Sequence, residues 1–262
     1  MTTRVALVTG GARGIGAATV SALVARGYGV VVLDAPGQIP GLTYPLSTEE
    51  DLHRLREAFG DSVATLSGDV RLLADQHEAV ALAKDRFGRL DVVVAAAGVA
   101  TGGHAAWEHD TEQFNINFEV NVLGVHRSAQ AAIPALLANH EPRTSRFIAL
   151  ASSAAVKGHD RLAAYTASKH AVAGYVKSLA ADLGKSGVTA NAVLPGSTRT
   201  LLLEACAGFY DLDSVEDFAE HHLTGRLLEP REVAEVICFL ASEASSALTG
   251  ALVPADGGMT AG

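Results

Sequence analysis

The chain has 262 residues, 48% of them hydrophobic and 19% charged, so it can bury a sizeable core without disulfide staples and is too apolar for disorder. A formal net charge of -9 argues against nucleic acid and anionic membranes as primary partners, because neither favours an acidic surface. The two cysteines, Cys206 and Cys238, lie far apart without metal or redox spacing and are expected as free thiols in a cytoplasmic protein; no signal segment is visible, and no apolar run approaches a membrane span.

The chain opens on an apolar run, Val5 to Val8, long enough for a buried strand. A glycine-rich turn follows, then a helical pattern from Ala17 that stops at Gly27. Strand, glycine turn and helix together form a dinucleotide-binding opening. Glycines let the backbone approach a pyrophosphate, and the N–H groups at the helix N-terminus face its charge. The contact set predicted here is Gly10, Arg13, Gly14, Ile15 and Gly16, with Arg13 adding a cation. The spacing is G-x3-G-x-G and not the commoner G-x-G-x-x-G. A second apolar run, Gly29 to Leu33, ends in Asp34, 18 positions after Gly16. A carboxylate there accepts from an adenosine ribose and repels a 2′-phosphate, which favours NAD over NADP. Arg13 pulls the other way, since a guanidinium suits a 2′-phosphate.

Residues 35–41 are loop chemistry, and a helix is predicted from Ser47 to Phe59, with Ser47 as N-cap and Glu50 completing a capping box. The loop reads either as a surface insertion or as a flap over the adenosine half of a cofactor. Asp69, at a strand end, is placed to accept from an adenine amino group while Val70 packs on the ring. The run from Val92 ends in small residues, Ala95 to Gly98, which let a ligand lie against the backbone.

Strand-like runs at 4–9, 29–33, 63–67, 91–95, 145–151, 188–193 and 251–253 alternate with helical patterns. That alternation predicts an α/β fold: a single Rossmann-type, doubly wound parallel sheet of about seven strands with helices on both faces. No repeat or linker divides 1–262, so one domain is expected.

Tyr165-Thr166-Ala167-Ser168-Lys169 falls in an alanine-rich helix, where positions i and i+4 share a face. A nearby ammonium stabilises phenolate, so Tyr165 is expected to have its pKa lowered by Lys169 and to pass a proton to or from a substrate oxygen.

Taken together these motifs resemble the short-chain dehydrogenase/reductase family over nearly the whole chain. Thr9 to Gly16 matches its T-G-x3-G-x-G. Asp34, Asp69-Val70, Asn121-Val122-Leu123-Gly124, Ala151-Ser152-Ser153, Tyr165-x3-Lys169, Pro195-Gly196 and Thr200 follow in its order. The resemblance implies a Ser–Tyr–Lys centre with a supporting Asn. Tyr165 is then the acid/base, Lys169 binds the nicotinamide ribose, Asn121 holds a water in a relay to Lys169, and a serine polarises the substrate oxygen. Ser152, 13 residues before the tyrosine, is preferred to Ser153; because side chains alternate along a strand, only one of the two faces the site unless the chain bulges. Asn121 is preferred to Asn117 for its Asn-x-x-Gly setting. Pro195, Gly196, Thr198 and Thr200 belong to a loop that contacts the nicotinamide, with Thr200 on its carboxamide. Residues 201–226 resemble a substrate lid lined by Leu201, Leu202, Leu203, Phe209 and Tyr210. His221 and His222 suggest no metal, since adjacent histidines point apart. Where the family often has Asn-Asn-Ala-Gly, this chain has Ala95-Ala96-Ala97-Gly98, so only Ala97 and Gly98 are carried over as cofactor contacts and the holding of that strand end is left open.

Residues 162–172, 195–200 and 226–230 also resemble the mycofactocin-coupled, carveol dehydrogenase-like branch. That resemblance implies NAD held without release, a peptide-derived electron acceptor, and a hydrophobic secondary or allylic alcohol or ketone as substrate. A homotetramer is expected from the family. The alternatives are an exchangeable NADP-dependent ketone reductase and a non-catalytic NAD-binding scaffold or sensor.

Overall fold

Strands buried on both faces need continuous apolar runs, and the chain supplies them in β-branched form. The computed structural model describes residues 4–261. Its strands are β1 (Val5–Thr9), β2 (Gly29–Asp34), β3 (Val63–Ser67), β4 (Val92–Ala95), β5 (Arg146–Leu150), β6 (Thr189–Pro195) and β7 (Leu252–Ala255). They form one seven-stranded parallel sheet in the order β3-β2-β1-β4-β5-β6-β7, the Rossmann-type arrangement expected. Every residue of β1, β4, β5 and β6 is buried.

The main helices are α1 (Gly14–Val24), α2 (Glu49–Phe59), α3 (Leu73–Phe87), α4 (Thr111–Asn117), α5 (Gly124–Leu137), α6 (Ala163–Leu183), α7 (Leu201–Phe209) and α8 (Pro230–Ala241). Helices α3, α5 and α6 pack one face of the sheet through Ala79, Ala132 and Val176. Helices α1, α2 and α8 cover the other through Leu23, Leu52 and Ile237. The strand order reverses between β1 and β4, and the crevice at that reversal opens at the carboxyl ends of the strands, where open α/β sheets bind their ligands. Among the described residues, no helix is long and apolar enough to cross a membrane.

Two local expectations are corrected. Helix α1 begins at Gly14, three residues earlier than its apolar pattern suggests, and ends at Val24. Two of the turn's glycines therefore lie inside the helix, where the 3.6-residue pattern of apolar side chains cannot register them. Helix α2 is capped by Thr48, whose side chain accepts from the Asp51 N–H while the Asp51 carboxylate accepts from Thr48. Ser47 is not the cap, because its hydroxyl turns the other way and donates to Asp34 Oδ1 at 2.6 Å.

The β1–α1 turn is a backbone-on-backbone contact. A Cβ on Gly16 would lie 2.0 Å from the Gly10 carbonyl oxygen, and one on Gly10 would lie 2.6 Å from the Ala97 Cα. Gly16→Ala is accordingly expected to destabilise the protein by at least ~3 kcal/mol, the upper range of core overpacking. Chemical denaturation of the variant checks this, and a change below ~1 kcal/mol contradicts the packing described.

Candidate active site

One cavity of about 900 Å³ runs from the glycine turn, across the carboxyl ends of β1, β4, β5 and β6, to α7. At one end lie Gly10, Arg13, Gly14, Ile15 and Gly16, with Asp34 on the rim. Arg13 stands at the N-cap of α1 in an extended conformation and makes no side-chain cap, so no capping side chain competes for the first-turn N–H groups. Gly10 and Gly14 have φ of 65° and 54°, a region that favours glycine. A dinucleotide pyrophosphate fits this cradle, since its glycines place no side chain before the N–H groups of the first turn, which no capping side chain occupies. The Asp34 carboxylate accepts from the Ala12 N–H, the Ala35 N–H and the Ser47 hydroxyl. Three of its roughly four acceptor positions are used, leaving one for a ribose hydroxyl.

Arg13 lines the cavity but is engaged by this chain. Its guanidinium pairs with Asp51 at 2.7 Å and donates to the Leu46 carbonyl at 2.8 Å. Its partners are thus a carboxylate and a carbonyl of the chain, the former having been invisible before α2 was placed beside the turn. Residues 35–47 form a strap pinned on both sides of the cleft. On one side stand the Arg13 and Ser47 bonds. On the other, the Tyr44 hydroxyl accepts from the Ala100 N–H at 2.8 Å and contacts the Ala100 carbonyl at 3.2 Å, while Ile39 is buried in the sheet core. Sequence reading missed Tyr44 and the Ser47–Asp34 bond; nothing in a loop sequence says which distant backbone group a tyrosine will reach.

Asp69 and Val70 both line the cavity. The Asp69 carboxylate is gripped by Arg71 through Nε at 2.8 Å and Nη2 at 2.6 Å. Val70 packs over Gly124, whose added Cβ would lie 2.9 Å from a Val70 methyl. The β4 end, lacking the family's amides, is held by a 3.3 Å bond from the Ala97 N–H to the Thr9 hydroxyl and by the close approach of Gly10. Gly98 lies beneath Asn121 and Lys169, since its Cβ would meet Asn121 Oδ1 and Lys169 Nζ at 3.3 Å each.

Tyr165 and Lys169 sit one turn apart near the start of α6, and both face the cavity with Ser152. The Lys169 ammonium donates to the Leu150 carbonyl at 2.9 Å and lies 5.6 Å from the Tyr165 ring centroid. Burial pushes the Tyr165 phenol up, and the Ser152 hydroxyl pulls it partly back. Within the protein alone desolvation thus outweighs the pull toward phenolate, to which the Ser152 hydroxyl contributes. Ser152 and Ser153 both line the cavity, because β5 ends at Leu150 and the chain turns into a short 3-10 helix at 153–155, ending the strand alternation.

Asn121 lies in a π-helical turn, Phe118–Leu123, between α4 and α5. Its Oδ1 accepts from the Val99 N–H at 2.8 Å, and its Nδ2 donates to the Val99 carbonyl and the Ser168 hydroxyl at 2.9 Å each. The side chain thus clamps the backbone beyond β4. The rival Asn117 donates to Thr101 and Gln113, away from the cavity.

Pro195, Gly196, Thr198 and Thr200 line the cavity after β6. Thr200 caps α7 by accepting from the Leu203 N–H, and its methyl would touch a Cβ on Gly14 at 3.1 Å. His222 is buried beneath this loop and accepts from the Ser197 N–H at 3.0 Å, while exposed His221 lines the cavity. Among the described residues, no group of three or more His, Cys, Asp or Glu is placed to hold a metal ion. Leu201, Leu202, Leu203 and Tyr210 line the cavity as expected, joined by the free thiol of Cys206. Phe209 does not: its ring packs over Gly102, where an added Cβ would lie 3.0 Å from it. Helical rotation within α7 sends position 209 outward from the face that Leu202 and Cys206 share.

The decisive observation is that the glycine turn, Asp34, Ser152, Tyr165 and Lys169 converge on one cavity in one parallel sheet. The chain belongs to the short-chain dehydrogenase/reductase family. A family model described as enoyl-(acyl carrier protein) reductase matches residues 10–260. An NAD-dependent oxidoreductase of Mycobacterium tuberculosis is 34% identical, over 97% of this chain and 95% of its own. The (-)-trans-carveol dehydrogenase of Rhodococcus erythropolis is 31% identical, over 98% and 97%. The structure of a short-chain reductase, the 3-ketoacyl-(acyl-carrier-protein) reductase of Brucella melitensis complexed with NADH, superposes with a TM-score of 0.85 at 28% identity, covering 98% of each chain.

Burial pushes the Lys169 ammonium down to about 8 from its ordinary 10.5. Between those values the unfolded chain keeps a proton that the folded chain has released. The stabilising contribution of neutral Lys169 is thus fully present above the unfolded value and lost as pH falls through the folded one. Lys169→Met is expected to flatten the rise of unfolding free energy between about pH 8 and pH 10, read from denaturation at a series of pH values. An unchanged slope contradicts the burial of a titrating lysine.

Proposed function

We propose that this protein transfers hydride between the nicotinamide of NAD and a hydrophobic secondary or allylic alcohol or its ketone. It is an NAD-dependent oxidoreductase of the short-chain type. The observation that carries the substrate reading is the shared cavity: Tyr165 and Ser152 stand at its centre, the dinucleotide cradle lies at one end, and an apolar wall of Leu201, Leu202, Leu203 and Tyr210 lies at the other.

NAD, when bound, supplies the hydride acceptor or donor. The other steps belong to the chain. Gly10, Gly14, Ile15 and Gly16 seat the pyrophosphate, and Asp34 accepts from the adenosine ribose and excludes a 2′-phosphate by charge. Asp69 and Val70 flank the adenine; Ala97, Gly98, Pro195, Gly196, Thr198 and Thr200 bound the nicotinamide half. Ser152 donates a hydrogen bond to the substrate oxygen and orients it. Tyr165 exchanges the proton at that oxygen, with Lys169 binding the ribose hydroxyls and adding positive charge beside the phenol. Asn121 acts by positioning Val99 and Ser168 around this centre.

The strap over 35–47 supports a cofactor that is retained through turnover, since release would require breaking the Tyr44–Ala100 and Arg13–Leu46 contacts. Retention agrees with membership of the mycofactocin-coupled branch, and the carveol dehydrogenase relative supports an allylic alcohol as the substrate class. We take the enzyme to be a cytoplasmic homotetramer, as its family usually is. The ion pair between Arg13 and Asp51 weighs against the NADP reading, because it already occupies the cation that would meet a 2′-phosphate.

Desalting and then denaturing the purified protein is expected to release one NAD per chain; NADP, or no nucleotide, would count against the reading. Tyr44→Phe is expected to speed loss of the nucleotide about tenfold, by removing one hydrogen-bonding hydroxyl. Tyr165→Phe is expected to slow nicotinamide reduction by alcohol about 100-fold or more with NAD content unchanged. Unaltered turnover in that variant overturns the mechanism.

A further inference from the structure

Several polar side chains at the substrate end of the cavity are engaged by the chain itself. Arg199 is ion-paired with Glu216 and Glu229. The Tyr210 hydroxyl donates to the Asp160 carbonyl at 2.7 Å. His159 differs. Its ring lines the cavity and is half-buried, and among the described residues neither ring nitrogen has a hydrogen-bond or ion-pair partner.

The backbone that follows His159 is tied to neighbouring segments. The Asp160 carbonyl is fixed by Tyr210, and the Arg161 carbonyl accepts from the Gly103 N–H at 3.0 Å. The Arg161 guanidinium reaches the Asp211 carboxylate at 3.0 Å and the Phe209 carbonyl at 3.3 Å. Arg161 and Asp211 are the two non-glycine residues among those described with positive φ, 55° and 57°. That conformation is unfavourable for a residue with a side chain and persists where its surroundings enforce it. Here the two strained residues bind each other. The lock joins the loop after β4, the segment before α6 and the end of α7. It ties down the backbone at Asp160 and Arg161, next to His159, which lies six residues before Tyr165.

A half-buried imidazole whose ring nitrogens bond no group of the protein is available to hydrogen-bond at a place where a substrate arrives. Burial and the neighbouring Lys157 and His221 hold its pKa down against the pull of Asp160. A neutral ring offers one donor and one acceptor, so it can meet either a hydroxyl or a carbonyl. Asp160, Asp217 and Glu220 line the same end, which disfavours a carboxylate on the ligand.

We propose that His159 is a specificity-determining residue that hydrogen-bonds a second, uncharged oxygen of the substrate, distinct from the oxygen held by Tyr165 and Ser152. The substrate class is then a compact, largely apolar alcohol or ketone carrying two oxygens. This rests on the hydride-transfer reading above and narrows it.

The test compares cyclohexanol with 1,4-cyclohexanediol on the holoenzyme, following single-turnover reduction of the nicotinamide by its absorbance, so that cofactor exchange is not required. The wild type is expected to favour the diol in second-order rate constant. His159→Phe is expected to shrink that preference by about 10- to 100-fold, and His159→Gln, which keeps a donor and an acceptor, to restore part of it. A merely structural role would lower both substrates together and leave their ratio alone. An unchanged ratio in His159→Phe, or a wild type indifferent to the second hydroxyl, overturns the proposal while the hydride-transfer reading stands. If neither alcohol reduces the nicotinamide of the wild type, that reading falls and this proposal falls with it.

Discussion

The structure depends on one backbone-on-backbone contact. Gly16, in the first turn of α1, sits so close to the Gly10 carbonyl that a methyl group would fall 2.0 Å from its oxygen, and Gly10 in turn lies against Ala97 at the end of β4. These contacts bring the first helix down onto the first and fourth strands at the point where the sheet reverses its order. A ligand at that reversal meets backbone N–H groups directly, without intervening side chains. The absence of side chains at Gly10 and Gly16 is therefore what lets these backbones meet, and the apolar face of α1 has to fit around that requirement.

Around the contact the chain arranges charges that largely satisfy one another. Asp34 gathers Ala12, Ala35 and Ser47, while Arg13 is drawn to Asp51 and Leu46. Both interactions tie the loop after β2 to the glycine turn. Tyr44 ties the same loop to Ala100 on the far side of the cleft. An insertion that could have been surface decoration is thus fastened at both margins of the cofactor groove, by bonds that a short open loop would not make.

The catalytic group presents an electrostatic tension. Tyr165 and Lys169 are both buried, and burial opposes the charged form of each, pushing the phenol up and the ammonium down. Ser152 is the chain's own counterweight at the phenol, and the Leu150 carbonyl is the partner of the ammonium. Asn121, bonded through its side chain to Val99 and Ser168, contributes rigidity. The π-helical turn that carries it directs an amide into the β4 loop from between two helices, where a regular α-helix would follow a different path.

The sequence by itself determined the sheet, its parallel sense, the strand positions to within about two residues, and the Gly, Asp, Ser, Tyr and Lys set that lines the cavity. Those features rest on local periodicity, on glycine's steric freedom and on fixed short spacings, all of which a one-dimensional chain displays. Tertiary structure decided the rest: that Ser47 bonds Asp34 and leaves the cap to Thr48, that Arg13 is already paired, that Phe209 turns out of the cavity, that both Ser152 and Ser153 turn into it, and that Arg161 and Asp211 lock each other in place around His159. Each of these depends on which groups meet across tens of residues of intervening chain. A hydrogen bond has a reach of about 3 Å, so its partner is chosen only after the sheet and helices have brought the two ends together.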